Sequence, residues 1–448
     1  FKNKKIVAHC HEWISGAALL HLKKYAPKLG LVFTTHATSL GRTLTGYNRD
    51  VMSEVSAGLK EGRTAENSDA YKYNVEGQHL IEKACAKNSV FTTVSEVTGK
   101  EATYILGKKP DLILPNGLDF KKFGSIDDIL RKHKVNRDKV YMFLRSYFLP
   151  YYKCKVFHSP VIYLSGRYEL KSKGIDIFIS ALGKLNDELK NAGYDKNVFA
   201  FIFVPASVRG PKSSVVNNFN IFKKLEHNVD EMLVVDKENI INGMVHGKSS
   251  SKLVKPEMLD DSINFFKGLE KEGDKPPLSA FNLNYGNDTI INMLKENGLD
   301  NSKDDVVKIV FYPTYVSESD GVLGLQYYDA ITGIDLGVFP SRYEPWGYTP
   351  IEAGANMCAG IASDLSGFGK FIQEHVKDRD GIQVLKMEDR SYDDIVHDLV
   401  DKIKLLALLD RESLEEIKVS ARTIVELDNW KDLIKHYFKA YELAVSRS

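Results

Sequence analysis

The stretch DLGVFPSRYEPWGYTPIEAGANMCAGIASDLSGFG, residues 335–369, carries the pattern from which the fold can be read. A short apolar run, DLGVFPS, leads into a turn-rich loop, a helix-compatible segment from Thr349, and a second apolar run, AGIASD. Strand, helix and strand in about 30 residues make a βαβ unit, whose two strands lie parallel. Small residues at Ala353, Gly354, Ala355 and Ala359 let the helix lie close to a sheet. Thr349, Pro350 and Glu352 read as N-cap, first helical residue and N3 of a capping box. That gives Glu352 a structural task. Glu344 has none, since it stands before the cap in a loop with Tyr343, Trp346 and Tyr348.

The same alternation extends along the chain. KIVAHC, LVFTTHA, SVFTTVS and DLILPNG form one series of strand-like runs; VIYLSGR, VFAFIFVPA, VVKIVFYP, DLGVFPS and AGIASD form a second. Helical segments lie between, among them GAALLHLKKYAPKL, NVEGQHLIEKACAK, GIDIFISALGKLNDELK and TIINMLKENG. The expected fold is α/β, with two Rossmann-like, doubly wound domains facing a central cleft. A chain of 448 residues has room for both. The N-terminal domain is placed at residues 1–155 and the C-terminal domain at 156–425, with a polar helical insertion at about 210–290. An amphipathic closing helix follows at 426–448, and the aromatic stretch YFLPYYKCKVFHSP marks the boundary between domains.

Composition narrows the function classes. Lys plus Arg is 61 against 60 acidic residues, a net charge of +1, which argues against a general nucleic-acid or membrane-surface binder. Cys10, Cys85, Cys154 and Cys358 lie far apart without a C-x-x-C, so neither a disulfide framework nor a zinc site is expected. No apolar run is long enough to span a bilayer, and the start FKNKKIVAHCHEW is not expected to act as a signal peptide, since its basic end leads into a short strand-like run. A cytoplasmic protein is expected.

Ligands of open α/β sheets bind beyond the carboxyl ends of the strands. After VIYLS, the segment GRYELKSKGIDIF sets Arg167 and Lys173 beside a helix N-terminus, a setting suited to a pyrophosphate. Taken alone, so short a pattern reads more readily as two solvated cations. HCHEWISG places His11 and Glu12 past one strand, TTHATSLGR places His36 and Arg42 past another, and PNGLD places Asn116 and Gly117 past a third. A metal held by His9, His11 and His36 lacks an acidic or cysteine partner at ligand spacing, and DRD at 378–380 lies in a polar loop. No metal or cofactor is expected.

The stretch from Phe339 to Gly369 resembles the glutamate-x7-glutamate signature of the glycogen synthase family in its animal and fungal form. HEWISG, VFTTHATSLGR, VFTTVSEVTGKEATYILGKKPDLILPNGLDFKKF, GRYELKSKGIDIFISALGKLN and PPLSAFNLNY resemble further blocks of that family in the same order, from residue 1 to about 440. The resemblance implies the glycosyltransferase B fold and transfer of glucose from UDP-glucose to the non-reducing 4-hydroxyl end of an α-1,4-glucan, with retention. It implies Glu344 at the reacting glucose, Arg167 and Lys173 on the pyrophosphate, and His11 near the donor glucose. Glu352 would hold the ribose, Tyr315 and Tyr327 would stack on the uracil, and Arg42 would line the cleft. Thr349 and the amides after it would cap the phosphate, with Tyr348 and Asn116 counted among the binding residues. No metal is implied; the expected partners are UDP-glucose, glycogen or a glucan primer, a glycogenin-like primer protein and further copies of the chain.

Two departures from the family pattern shape the expectation. Family members begin with a strand and a glycine-rich loop upstream of the H-E-W block, whereas this sequence starts almost at that block, so the N-terminal domain is expected to lack its first strands. EIKVSARTIVELDNW offers only Lys418 and Arg422 where the family carries a dense arginine cluster that senses glucose 6-phosphate, so strong activation by that sugar phosphate is not expected. The alternatives left open are an ADP-glucose-using starch or glycogen synthase, and a catalytically silent glucan-binding scaffold of the same fold.

Overall fold

The computed structural model describes residues 4–245, 271, 273–377 and 380–448. The chain forms two compact units, one from Phe1–Leu130, Ile162–Lys184 and Asp335–Ser448, the other from Arg131–Val161 and Leu185–Ile334. The first unit opens with β1 (Val7–His11), α1 (Glu12–Tyr25), β2 (Gly30–Thr35), α2 (Ser39–Gly46) and α3 (Val51–Lys60). It continues through α4 (Asn67–Lys72), α5 (Glu76–Asn88), β3 (Val90–Thr93), α6 (Glu96–Leu106) and β4 (Leu112–Ile113). The strands run parallel in the order β1-β2-β3-β4, with Val32 opposite Val90 and Thr34 opposite Thr92. Every residue of β2 and β3 is buried, because helices cover both faces of a parallel sheet; hence the unbroken apolar runs in the sequence. Phe33 and Phe91 stack within this core, each worth about 1.5–3 kcal/mol on burial. The buried Thr34 and Thr92 hydroxyls bond to each other at 2.6 Å, so neither is left without a partner.

After α7 (Ile126–Phe148), β5 (Val161–Ser165) and α8 (Ile175–Asn191), the second unit contributes β6 (Val198–Phe203), β7 (Val208–Pro211), α9 (Ser213–Val245) and β8 (Phe281–Leu283). α10 (Thr289–Glu296), β9 (Val307–Phe311) and α11 (Tyr327–Thr332) complete it. β6 and β9 pair in parallel, while β7 and β8 form an antiparallel pair. The core of this unit is aromatic: Phe143 lies 5.8 Å from Phe201 and 5.4 Å from Tyr147, and Phe148 lies 5.3 Å from Phe199. Tyr147 and Phe148, from the aromatic stretch expected at a boundary, are fully buried core residues. The segment expected as a helical insertion is helical over Ser213–Val245 and strand over Phe281–Leu283; residues 246–270 and 272 lie outside the described residues.

The first unit resumes with β10 (Leu336–Phe339), α12 (Tyr348–Ala355), β11 (Ala359–Ser363), α13 (Gly367–His375) and β12 (Ile382–Leu385). α14 (Tyr392–Ala407), α15 (Arg411–Val425) and α16 (Trp430–Ser446) follow. β12, β11, β10 and β5 lie side by side in that order, all parallel, so the α/β class with parallel sheets stands. α16 returns to the first sheet, where Tyr437, Ala440 and Ala444 pack on Val32, Val90 and Leu114. In the DRD motif, Asp378 and Arg379 lie outside the described residues. No described helix is long and apolar enough to cross a membrane.

One local expectation is corrected. α12 starts at Tyr348, not after a Thr349 cap, and its N-cap is Gly347 with φ 107°. A left-handed glycine turns the chain straight from Trp346 into the helix, so Thr349 is already its second residue and Glu352 its fifth. The capping box does not form.

Candidate active site

A cavity of about 290 Å³ opens at the carboxyl ends of the strands of the first unit. Arg167, Glu169 and Lys173 reach it from the segment after β5, Tyr343 to Gly347 from the loop after β10, and Tyr348 from the start of α12. Arg42, Thr45 and Gly46 come from α2, and Asn116 from the turn after β4. Six of the residues singled out in the sequence therefore meet there: Arg42, Asn116, Arg167, Lys173, Glu344 and Tyr348.

The cavity lining includes an ion pair between the Lys173 ammonium and the Glu344 carboxylate, both largely shielded from solvent. Backbone geometry brings them together. Gly174 has φ +64°, and a Cβ on it would stand 1.9 Å from the Pro340 carbonyl oxygen, so the segment after β5 passes directly over the end of β10. The Arg342 guanidinium donates to both Asp176 oxygens at 2.7 and 2.9 Å, and the Arg342 amide donates to the Ser172 carbonyl at 2.9 Å. On its other side the Glu344 loop is held by the SGFG turn: the Gly367 and Phe368 amides donate to the Glu344 and Trp346 carbonyls at 2.9 and 2.7 Å. Arg167 pairs with Glu169 at 2.8 Å, but its side chain is 66% exposed, so this pair is weak and easily exchanged for an anion.

His11 ends β1, and its Nδ1 lies 3.0 Å from His36 Nε2, while its ring stacks on His9 at 4.2 Å. Burial lowers all three imidazole pKa values; neighbouring histidines add to the effect on His9 and His36, which fall to about 4. These rings are therefore neutral at pH 7. His11 does not line the cavity. The link from it runs through Glu12, whose carboxylate accepts the His36 amide at 3.0 Å and stands 3.9 Å from Arg42. Thr349 and Glu352, half-buried on α12, are also off the lining. Tyr315 and Tyr327 belong to the second unit, where Tyr315 is exposed. Among the described residues no group of three or more His, Cys, Asp or Glu is arranged to hold a metal.

Sequence reasoning passed over Glu169 and Thr45, which line the cavity, and Asp428, which is fully buried beside Trp346 with its carboxyl pushed well above the usual range by burial. Glu169 stood two residues from Arg167 and could have been found from that spacing; nothing local marked Asp428.

The glycogen synthase family profile matches residues 1–448. The chain is 33% identical to the glycogen [starch] synthase of Neurospora crassa, covering 100% of this chain and 64% of that protein. It is 32% identical to the Dictyostelium discoideum glycogen [starch] synthase, covering 100% of this chain and 51% of that protein, and 31% identical to the Caenorhabditis elegans glycogen [starch] synthase, covering 99% and 66%. It thus spans between about half and two thirds of the length of these relatives. With its cationic, carboxylate-bearing cavity between β5 and β10 and a match along all 448 residues, the chain belongs to the glycogen synthase family.

Proposed function

We propose that this chain transfers glucose from UDP-glucose to the non-reducing 4-hydroxyl of an α-1,4-glucan with retention of configuration. The observation that carries the reading is the Lys173–Glu344 pair with Arg167 in the same cavity, at the carboxyl ends of parallel strands. Two cations there can hold a diphosphate and stabilise the charge that grows on it as the glycosidic bond to the sugar breaks. The Glu344 carboxylate can accept hydrogen bonds from sugar hydroxyls and support positive charge at the anomeric carbon. Lys173 would touch both roles, because the ammonium that pairs with Glu344 also lines the cavity in which the diphosphate would lie. No metal enters this scheme; the protein's own cations supply the positive charge.

The test is incorporation of labelled glucose from UDP-glucose into glycogen by the purified chain. Glu344→Gln and Arg167→Ala are each expected to lower kcat by about 10²-fold or more. Near-wild-type rates in both variants would sink the assignment. Preference for ADP-glucose in a donor competition would move the reading to the starch-synthase-like alternative. If wild type binds glucan yet transfers nothing from either donor, the scaffold reading takes its place.

We further propose that glucose 6-phosphate does not strongly activate this protein. The Lys418 ammonium bonds to buried Asp335 at 2.9 Å, and Arg422 donates to the Ala355 carbonyl at 2.6 Å and to Glu426 at 2.9 Å. Both cations are buried and engaged within the fold. A several-fold rise in rate on adding the sugar phosphate would overturn this.

A further inference from the structure

α6 stands between two walls of the cavity and touches both. Its Glu101 carboxylate accepts the Thr38 amide at 2.8 Å and the Thr38 hydroxyl at 2.6 Å on one side, and the Tyr343 hydroxyl at 3.0 Å on the other. Thr38 is the N-cap of α2, where it accepts the Gly41 amide at 2.9 Å; the next residue, Arg42, lines the cavity. Tyr343 is the residue before Glu344. One carboxylate thus joins the helix that presents Arg42 to the loop that presents Glu344.

The surroundings show that this junction is built closely. Glu101 and Thr38 are fully buried, Tyr343 nearly so, and Ala37, Met52, Val97 and Tyr343 form a small apolar cluster around them. Glu101 presses so near α2 that a Cβ on Gly41 would stand 2.3 Å from its oxygen, so a larger residue there would have to displace the carboxylate. The N-terminus of α6 makes a second tie to the same loop, where the Ser95 hydroxyl donates to the Pro345 carbonyl at 2.7 Å. Burial raises the Glu101 carboxyl to about 6, while the Thr38 and Tyr343 donors and Arg42 act against that rise, so it is ionised at neutral pH. Its bonds are then charge-assisted, in a setting that excludes water.

We infer that Glu101 is a positioning residue: through Thr38 and Tyr343 it fixes Arg42 and Glu344 at a set separation across the cavity. This rests on the transferase reading for its kinetic consequence, but not for its structural one. A misplacement of about 1 Å between groups on opposite walls is enough to cost a large factor in rate.

The experiment compares wild type, Tyr343→Phe, Glu101→Gln and the double variant in steady-state transfer from UDP-glucose to glycogen. UDP binding by calorimetry, thermal melting and amide hydrogen exchange over residues 343–348 and α2 accompany the kinetics. Each single variant is expected to lower kcat by about 10-fold or more with a smaller loss of UDP affinity, because Arg167 and Lys173 are not themselves replaced. The double variant is expected to lose less than the sum of the two single losses, since both changes act on the Glu101–Tyr343 bond. Exchange of the loop should quicken in Tyr343→Phe, a change small enough to keep the fold if Glu101→Gln does not fold. Unchanged exchange in Tyr343→Phe, or additive kinetic losses that follow melting temperature, would overturn the inference. Failure of the wild type to transfer glucose would instead remove the transferase reading, and the exchange measurement would still decide the role of Glu101.

Discussion

At Lys173 and Glu344 opposite charges meet where little water reaches, and a glycine is one of the features that keep them there. Gly174 combines a left-handed φ of +64° with a Cβ direction that points at the Pro340 carbonyl, so alanine meets both backbone strain and a steric clash. The left-handed conformation alone costs a non-glycine residue about 1–2 kcal/mol. Gly174→Ala is therefore expected to destabilise by about 2 kcal/mol or more and to abolish UDP binding, as measured by melting and calorimetry. Gly298→Ala supplies the comparison: its φ is +70° but no atom lies near its Cβ, so only the conformational cost of about 1 kcal/mol should appear. Equal losses at the two sites would show that the contact with Pro340 does not hold the loop. In the sequence, the segment from Gly166 to Gly174 was a weak pattern because its partners are remote. Pro340 and Arg342 lie about 170 positions away, and no local spacing announces that they cover Gly174 and Asp176. Glu344 was easier to find, since no helix cap or strand register accounted for it.

Among the elements, the strands were legible wherever both faces are covered. VFAFIF and VKIVF admit few other readings, and both are strands, at Val198–Phe203 and Val307–Phe311. β12 escaped notice because GIQVLK is short and carries Gln383 and Lys386 in and beside it. The start of α12 was misplaced for a different reason: Thr349 and Pro350 are good cap residues, and tertiary context at Gly347 overrode them. This makes a distinction measurable by melting. Thr349→Ala should change stability by less than about 0.5 kcal/mol, because no cap is lost. Ser366→Ala should cost about 1–2 kcal/mol, because the Ser366 hydroxyl accepts the Gly369 amide at 3.0 Å as the N-cap of α13 and donates to the Ser363 carbonyl at 2.7 Å. A larger loss at Thr349 than at Ser366 would mean that α12 depends on a Thr349 cap after all.

Over the whole chain, the two ends of the first unit are joined through a histidine. His9 on β1 places Nδ1 3.2 Å from the Tyr441 hydroxyl on α16 and Nε2 2.7 Å from the Thr34 hydroxyl on β2. Its pKa falls from 6.5 to about 4 because burial and the nearby His11 and His36 oppose a charge there. A group whose folded pKa is depressed gives full stability above its unfolded pKa and loses that stability as pH falls toward the folded value. His9 and His36 should therefore weaken the fold progressively from about pH 6.5 to about 4. Two buried carboxyls act in the opposite sense. Glu82 and Glu101 are raised from 4.5 to about 8 and about 6, so their contribution is fullest below pH 4.5 and declines as pH rises through those values. The melting temperature of wild type is the net of these trends, so its bare slope identifies neither. The difference between wild type and His9→Gln does, because glutamine can keep a polar contact near Tyr441 but cannot take up the proton. That difference should narrow as pH drops from 6.5 toward 4, with wild type losing its advantage. Parallel curves across that window would mean that His9 is not held neutral between the first sheet and α16.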